Sequence, residues 1–111
     1  MNLDLMSDVI KLENSQTLDD MLKEHEEVLL AISEDWCSVC RAMEGTLINA
    51  AFELKGKAVV LKSSVEISKS ISEELGLRSI PAYVVFHNGE IAEVMYGRKT
   101  IQELTRCWIW Y

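Results

Sequence analysis

Val28-Leu29-Leu30-Ala31-Ile32-Ser33-Glu34-Asp35-Trp36-Cys37-Ser38-Val39-Cys40 is the stretch on which the reading turns. Val28 to Ile32 is apolar without alternation, which suits a strand buried on both faces, as in a parallel sheet. Glu34-Asp35-Trp36 then turns the chain. The spacing that follows predicts a long helix from Cys37 to Leu54, with Gly56 as its stop. Val39, Met43, Leu47, Ala50, Ala51 and Leu54 would line its inner face. Gly45 inside it costs about 1 kcal/mol relative to alanine, and a bend is expected there.

In this placement Cys37 stands at a helix N-terminus. Unpaired N–H groups and the helix dipole favour negative charge at such a point, so a thiolate there becomes a nucleophile near neutral pH. Cys40 follows one turn later and can attack a mixed disulfide formed on Cys37. Two other readings of the pair stay open on spacing. Structural zinc wants four ligands, and His25, His87 and Cys107 are too scattered to supply a second ligand pair unless a dimer brought two such motifs together. Two ordinary core cysteines are the other reading, since free Cys is a small hydrophobe. Glu34 and Asp35 are expected to oppose the dipole by like-charge repulsion, weakly because solvent screens them.

Outward from the motif, Val9 to Leu12 reads as a short edge strand. Thr17 to His25 reads as a helix capped by Thr17, with Asp19 and Asp20 in its first turn and Leu18, Met21, Leu22 and His25 on one face. Ala58 to Leu61 is a second buried strand, and Ser68 to Leu75 a short helix closed by Gly76. Tyr83 to Phe86, Asn88-Gly89 and Ile91 to Tyr96 form a hairpin, because Asn-Gly between apolar runs is a strong two-residue turn signal. Thr100-Ile101-Gln102-Glu103 is a capping box opening the last helix, whose stripe is Ile101, Leu104, Trp108 and Tyr111. The order β-α-β-α-β-α-β-β-α gives an α/β fold, a central mixed sheet of four to five strands with helices on both faces.

The bulk numbers bound the function. A chain of 111 residues with 49% hydrophobic residues fits one domain, residues 1–111, with its own core. A formal charge of −7, without a Lys/Arg cluster, disfavours nucleic acid as a partner. Met1 to Leu12 lacks the basic start and apolar run of a secretory signal, and no stretch is long enough for a membrane span, so a cytoplasmic protein is expected. Three cysteines cannot all pair, and in a reducing compartment a CxxC points to redox chemistry or half of a metal site.

With WCSVC after a buried strand, Ser79-Ile80-Pro81-Ala82 before the hairpin, the Asn88-Gly89 turn and Gly97 before the last helix, the chain resembles the thioredoxin family over nearly its whole length. The resemblance implies a thiol–disulfide oxidoreductase without cofactor or metal, regenerated by a separate reductase and acting on disulfide-containing or oxidised proteins. It implies Cys37 as nucleophile and Cys40 as resolving thiol. It implies a cis proline at Pro81 packed against the cysteines. Trp36, Ile80, Pro81, Tyr96, Gly97 and Arg98 would form the docking surface, with Ile80 offering backbone groups to an extended peptide. Departures are also visible. Ser38 and Val39 replace the usual glycine and proline. Ala31 stands where the family carries a buried aspartate that helps deprotonate the second cysteine, so resolution by Cys40 is expected to be slow. Lys62 matches the acid's lysine neighbour and is expected to point to solvent. Gly45 falls where the family has a kinking proline. These departures keep a second function in view: a binding module whose cysteines are vestigial or hold a partner.

Cys107 reads as a core residue of the last helix, and His25 and His87 as surface or turn residues. In the aromatic tail, Trp108 and Tyr111 join the core stripe while Trp110 points elsewhere, as an unexplained apolar end or a self-association surface.

Overall fold

The computed structural model describes residues 8–109. Five strands, β1 (Val9–Lys11), β2 (Glu27–Ile32), β3 (Val59–Ser63), β4 (Ala82–His87) and β5 (Glu90–Tyr96), form one sheet in the order β1-β3-β2-β4-β5. β1, β3 and β2 run parallel, and β4 and β5 add antiparallel edges. The helices are α1 (Ser15–Glu24), α2 (Ser38–Ala42), α3 (Glu44–Glu53), α4 (Lys69–Leu75) and α5 (Ile101–Thr105), followed by a 3₁₀ turn at Arg106–Trp108. This is the expected mixed α/β architecture.

Strand periodicity divides β2 between two cores. Leu29 and Ala31 face α3 and α5 with Leu47, Ala50, Leu104 and Trp108. Val28, Leu30 and Ile32 face α1 and α4 with Leu18 and Ile71. Val28 to Ile32 is at most 2% exposed, as a strand covered on both faces requires.

Several boundaries differ from expectation, each for a local reason. α1 is capped by Asn14, whose side chain accepts from the Thr17 N–H; the helix starts two residues earlier than expected, and no acid lies in its first turn. β3 ends at Ser63 because Lys62 and Ser63 pair with Ala31 and Ile32. The single long helix is two, broken at Met43, whose near-zero ψ of −6° interrupts the helical run two residues before Gly45. Met43 N–H still donates to Val39 O, so the inner face stays in line. The last helix tightens into the 3₁₀ turn after Thr105. Leu104 and Trp108 are buried as the stripe predicts; Trp110 and Tyr111 lie outside the described residues. Gly76 ends α4 in the left-handed region at φ 58°. Asn88 (φ 51°) and Gly89 (φ 80°) make the tight hairpin turn, and the Thr100–Glu103 capping box is present.

Candidate active site

The fully buried end of β2 fixes the start of the motif, and the turn through Glu34, Asp35 and Trp36 delivers Cys37 to the head of α2. Cys37 is the N-cap residue: its Sγ accepts the Cys40 N–H at 3.2 Å. That is the position a serine or aspartate cap occupies, and a sulfur there favours its anion. Cys37 is 9% exposed and Cys40 6%, so the two differ little in exposure. Their acidities diverge strongly. The Cys40 thiol hydrogen bond lowers Cys37 most; burial opposes it, and the Cys40 and Val39 backbone N–H groups and the Arg41 charge lower it further. Burial raises Cys40 to about 11, helped by the hydrogen bond to Cys37. A more acidic and a less acidic thiol thus stand one helical turn apart, both free.

The other expected site residues divide by position. Trp36 is 74% exposed beside the motif. The Ile80–Pro81 peptide is cis, and Pro81 lines a cavity together with Cys40. Gly97 N–H donates to Pro81 O at 2.9 Å, and Tyr96 pairs with Ala82, so the end of the hairpin is tied to the proline loop. Ile80 and Tyr96 are half-buried and Arg98 is exposed.

One expectation about charge is corrected, and one carboxylate is located. Glu34 Oε1 accepts the Val65 N–H at 2.8 Å, tying the motif loop to the segment after β3. Lys62 does not simply point to solvent. Its side chain is 25% exposed, lines the cavity behind Cys40 and pairs with Glu44 at 3.7 Å. Ala31 is buried, and no carboxylate takes its place in β2.

Two side chains beside the site lie outside the expected set. Arg41 donates from Nη1 to Asp35 O at 2.7 Å, bracing the loop, and its charge favours the Cys37 thiolate. Its place one turn after Cys37 was the available signal. Arg78 lies over the Tyr96 ring, 5.4 Å from the centroid. Nothing local in the sequence joins residues 78 and 96. His25 and His87 are no part of the site: His25 ends α1, and His87 bonds Glu27 at the other end of β2. Among the described residues no group of three or more His, Cys, Asp or Glu could hold a metal ion, and no helix is long and apolar enough to cross a membrane.

A dithiol capping the helix that follows a central strand, with a cis proline loop beside it, defines a thioredoxin-fold redox protein. The sequence model of the thioredoxin family matches residues 8–108. The thioredoxin of Rickettsia felis is 33% identical over 78 residues, 70% of this chain and 74% of its own length. A variant thioredoxin from Halobacterium salinarum NRC-1 superposes with a TM-score of 0.78 at 25% identity, covering 90% of this chain and 87% of that one. Mitochondrial thioredoxin 3 from Saccharomyces cerevisiae, in its oxidised form, shares the fold with a TM-score of 0.76 at 19% identity, over 90% and 92% of the two chains. The chain belongs to the thioredoxin family and is a thiol–disulfide oxidoreductase.

Proposed function

We propose that Cys37 attacks substrate disulfides and that Cys40 resolves the resulting mixed disulfide. The observation that carries this assignment is the asymmetry of the pair: Cys37 receives the hydrogen bonds and falls in acidity value, while Cys40 gives and rises. The Cys37 thiolate forms a bond to one substrate sulfur and expels the other. Cys40 then attacks Cys37, the substrate leaves reduced, and the pair is left as a disulfide. A separate reductase restores the dithiol in a reducing, cytoplasmic setting.

Trp36, Ile80, Pro81, Tyr96, Gly97 and Arg98 form the docking surface of this reading. The backbone of Ile80 pairs with an extended segment in the strand-addition mode, and Trp36 and Tyr96 supply flat apolar contacts. Arg41 beside the motif loop and Arg78 over Tyr96 place cations near the site, and Arg98 follows Gly97, in a chain whose net charge is −7. The substrate that fits is a flexible, locally acidic segment carrying a disulfide or an oxidised cysteine, with the rim charges acting mainly on association rate.

Insulin reduction with Cys37→Ser as control, together with alkylation at mildly acidic pH and peptide mapping, tests the roles. Loss of reduction in Cys37→Ser and first labelling at Cys37 are expected; preferential labelling of Cys40 would reverse the assignment.

A further inference from the structure

Resolution of a mixed disulfide requires the Cys40 proton to leave. With Cys40 at about 11, its thiolate is on the order of one part in ten thousand at neutral pH. The strand beneath it offers no acid, because residue 31 is alanine. What lies there instead is a cavity of about 450 Å³, lined by Ala31, Asp35, Cys40, Glu44, Lys62 and Tyr83. A cavity of that size, its wall part polar and part apolar, has room for several waters. Glu44 opens α3 immediately after the break at Met43, four residues beyond Cys40, and its carboxylate pairs with Lys62 Nζ at 3.7 Å.

We infer that Glu44, held by Lys62, accepts the Cys40 proton through water in this cavity as Cys40 resolves the mixed disulfide. The inference rests on the roles proposed above for the two cysteines.

The charged and titratable groups around the cavity leave few other acceptors. Lys11 from β1 and Lys62 from β3 are the basic residues there. Tyr83 from β4 is buried, and burial raises its phenol, so it stays protonated. Asp35 is the other carboxylate, on the exposed motif loop, without the ammonium partner that holds Glu44. The Glu44 side chain is 54% exposed, which keeps the relay open to bulk water and the group recharged between turnovers. The charge balance also favours the transfer. Before it, Glu44 is anionic and Cys40 neutral; afterwards Glu44 is neutral and Cys40 anionic, and Lys62 faces one anion in either state. No unpaired charge is created, which a buried site would penalise. The step balances: the Cys40 S–H proton passes to Glu44, Cys40 sulfur bonds Cys37 sulfur, and the Cys37–substrate bond breaks. The substrate sulfur departs as a thiolate and the Cys37–Cys40 pair is oxidised.

An aromatic disulfide that releases one coloured nitrothiolate per step separates the two events in stopped flow. The first phase reports attack by Cys37 and the second resolution by Cys40. Glu44→Gln is expected to leave the first phase unchanged and slow the second about tenfold at neutral pH. That is below the usual range for general acid–base catalysis because bulk water competes. The deficit should shrink as pH rises toward the Cys40 value, and Glu44→Asp should recover most of the rate. Asp35→Asn should leave the second phase unchanged. A second phase within about twofold of the unsubstituted protein in Glu44→Gln, a deficit independent of pH, or a loss carried by Asp35→Asn instead would each overturn the inference. Absence of the first phase in the unsubstituted protein would overturn the role of Cys37 instead.

Discussion

Near the two ends of β2 lie cysteines with opposite chemistry. Beyond its last residue, Cys37 receives the N–H of Cys40 and the favourable charge of Arg41, and its acidity value falls. At its first residue, Glu27 accepts the Trp108 indole N–H at 3.1 Å and bonds His87, and beside this knot Cys107 donates its thiol to Glu93 Oε2 at 3.0 Å. Burial raises Cys107, the Glu27 carboxylate adds to it, and Arg106 opposes. Arg106 also pairs with Glu93, the carboxylate that accepts the Cys107 thiol. The lesson is that a thiol's acidity follows from its surroundings: hydrogen-bond donors and a nearby cation favour the sulfur anion at Cys37, whereas burial keeps the proton on Cys107.

The largest expected effect is on turnover. Cys37→Ser should bring insulin reduction down to the reagent background, while Cys107→Ser should keep it near the unsubstituted rate. Equal losses would erase the contrast between the two ends. Next in size is stability. Trp108→Ala removes a side chain 1% exposed together with its bond to Glu27. It should cost ~3–5 kcal/mol in urea unfolding, and a cost under ~1 kcal/mol would mean that the knot at this end is not structural.

The third effect is on pH dependence. Cys37 lies below the ordinary thiol value of 9.0, and Cys40 and Cys107 lie above it. The reactive thiolate is the deprotonated form, so iodoacetamide labelling of Cys37 should rise first as pH increases from acid. Labelling of the other two should rise only on the alkaline side of 9.0. Each unit of separation is about tenfold in thiolate fraction. Peptide mapping that found Cys107 labelled alongside Cys37 at neutral pH would contradict this contrast. The smallest effect concerns the rim. Arg98→Glu should slow reduction of an acidic disulfide peptide a few-fold at low ionic strength and have little effect at high salt, because exposed charges are screened. A loss that persisted in salt would assign Arg98 a direct contact instead of a steering charge.

Much of this molecule could be read before any coordinates. The uninterrupted run Val28 to Ile32 placed the central strand, Asn88-Gly89 the hairpin and Thr100 to Glu103 the last cap, because each is a local pattern with a local cause. The readings that failed were decided at a distance or by a neighbouring competitor. Asn14 took the cap from Thr17 because its side chain reaches the Thr17 N–H. Glu34 finds its hydrogen-bond partner in a backbone N–H thirty-one positions away. Lys62 was placed in water because lysine is rarely buried, yet Glu44 gives it a partner inside the cavity rim. Arg78 was invisible as a site residue because its contact with Tyr96 depends on how the proline loop meets β5.

The position of Cys37 at a helix head was written in the chain itself. A strand that ends, a short turn and a helical pattern that begins are set by neighbours within a few residues, and the anion preference of a helix start needs nothing more. The acidity of Cys40, the restraint of Cys107 and the cavity walled by Glu44 and Lys62 were settled by folding. Each depends on burial or on charges brought together from separate elements, and desolvation and Coulomb energy act through space without regard to sequence separation.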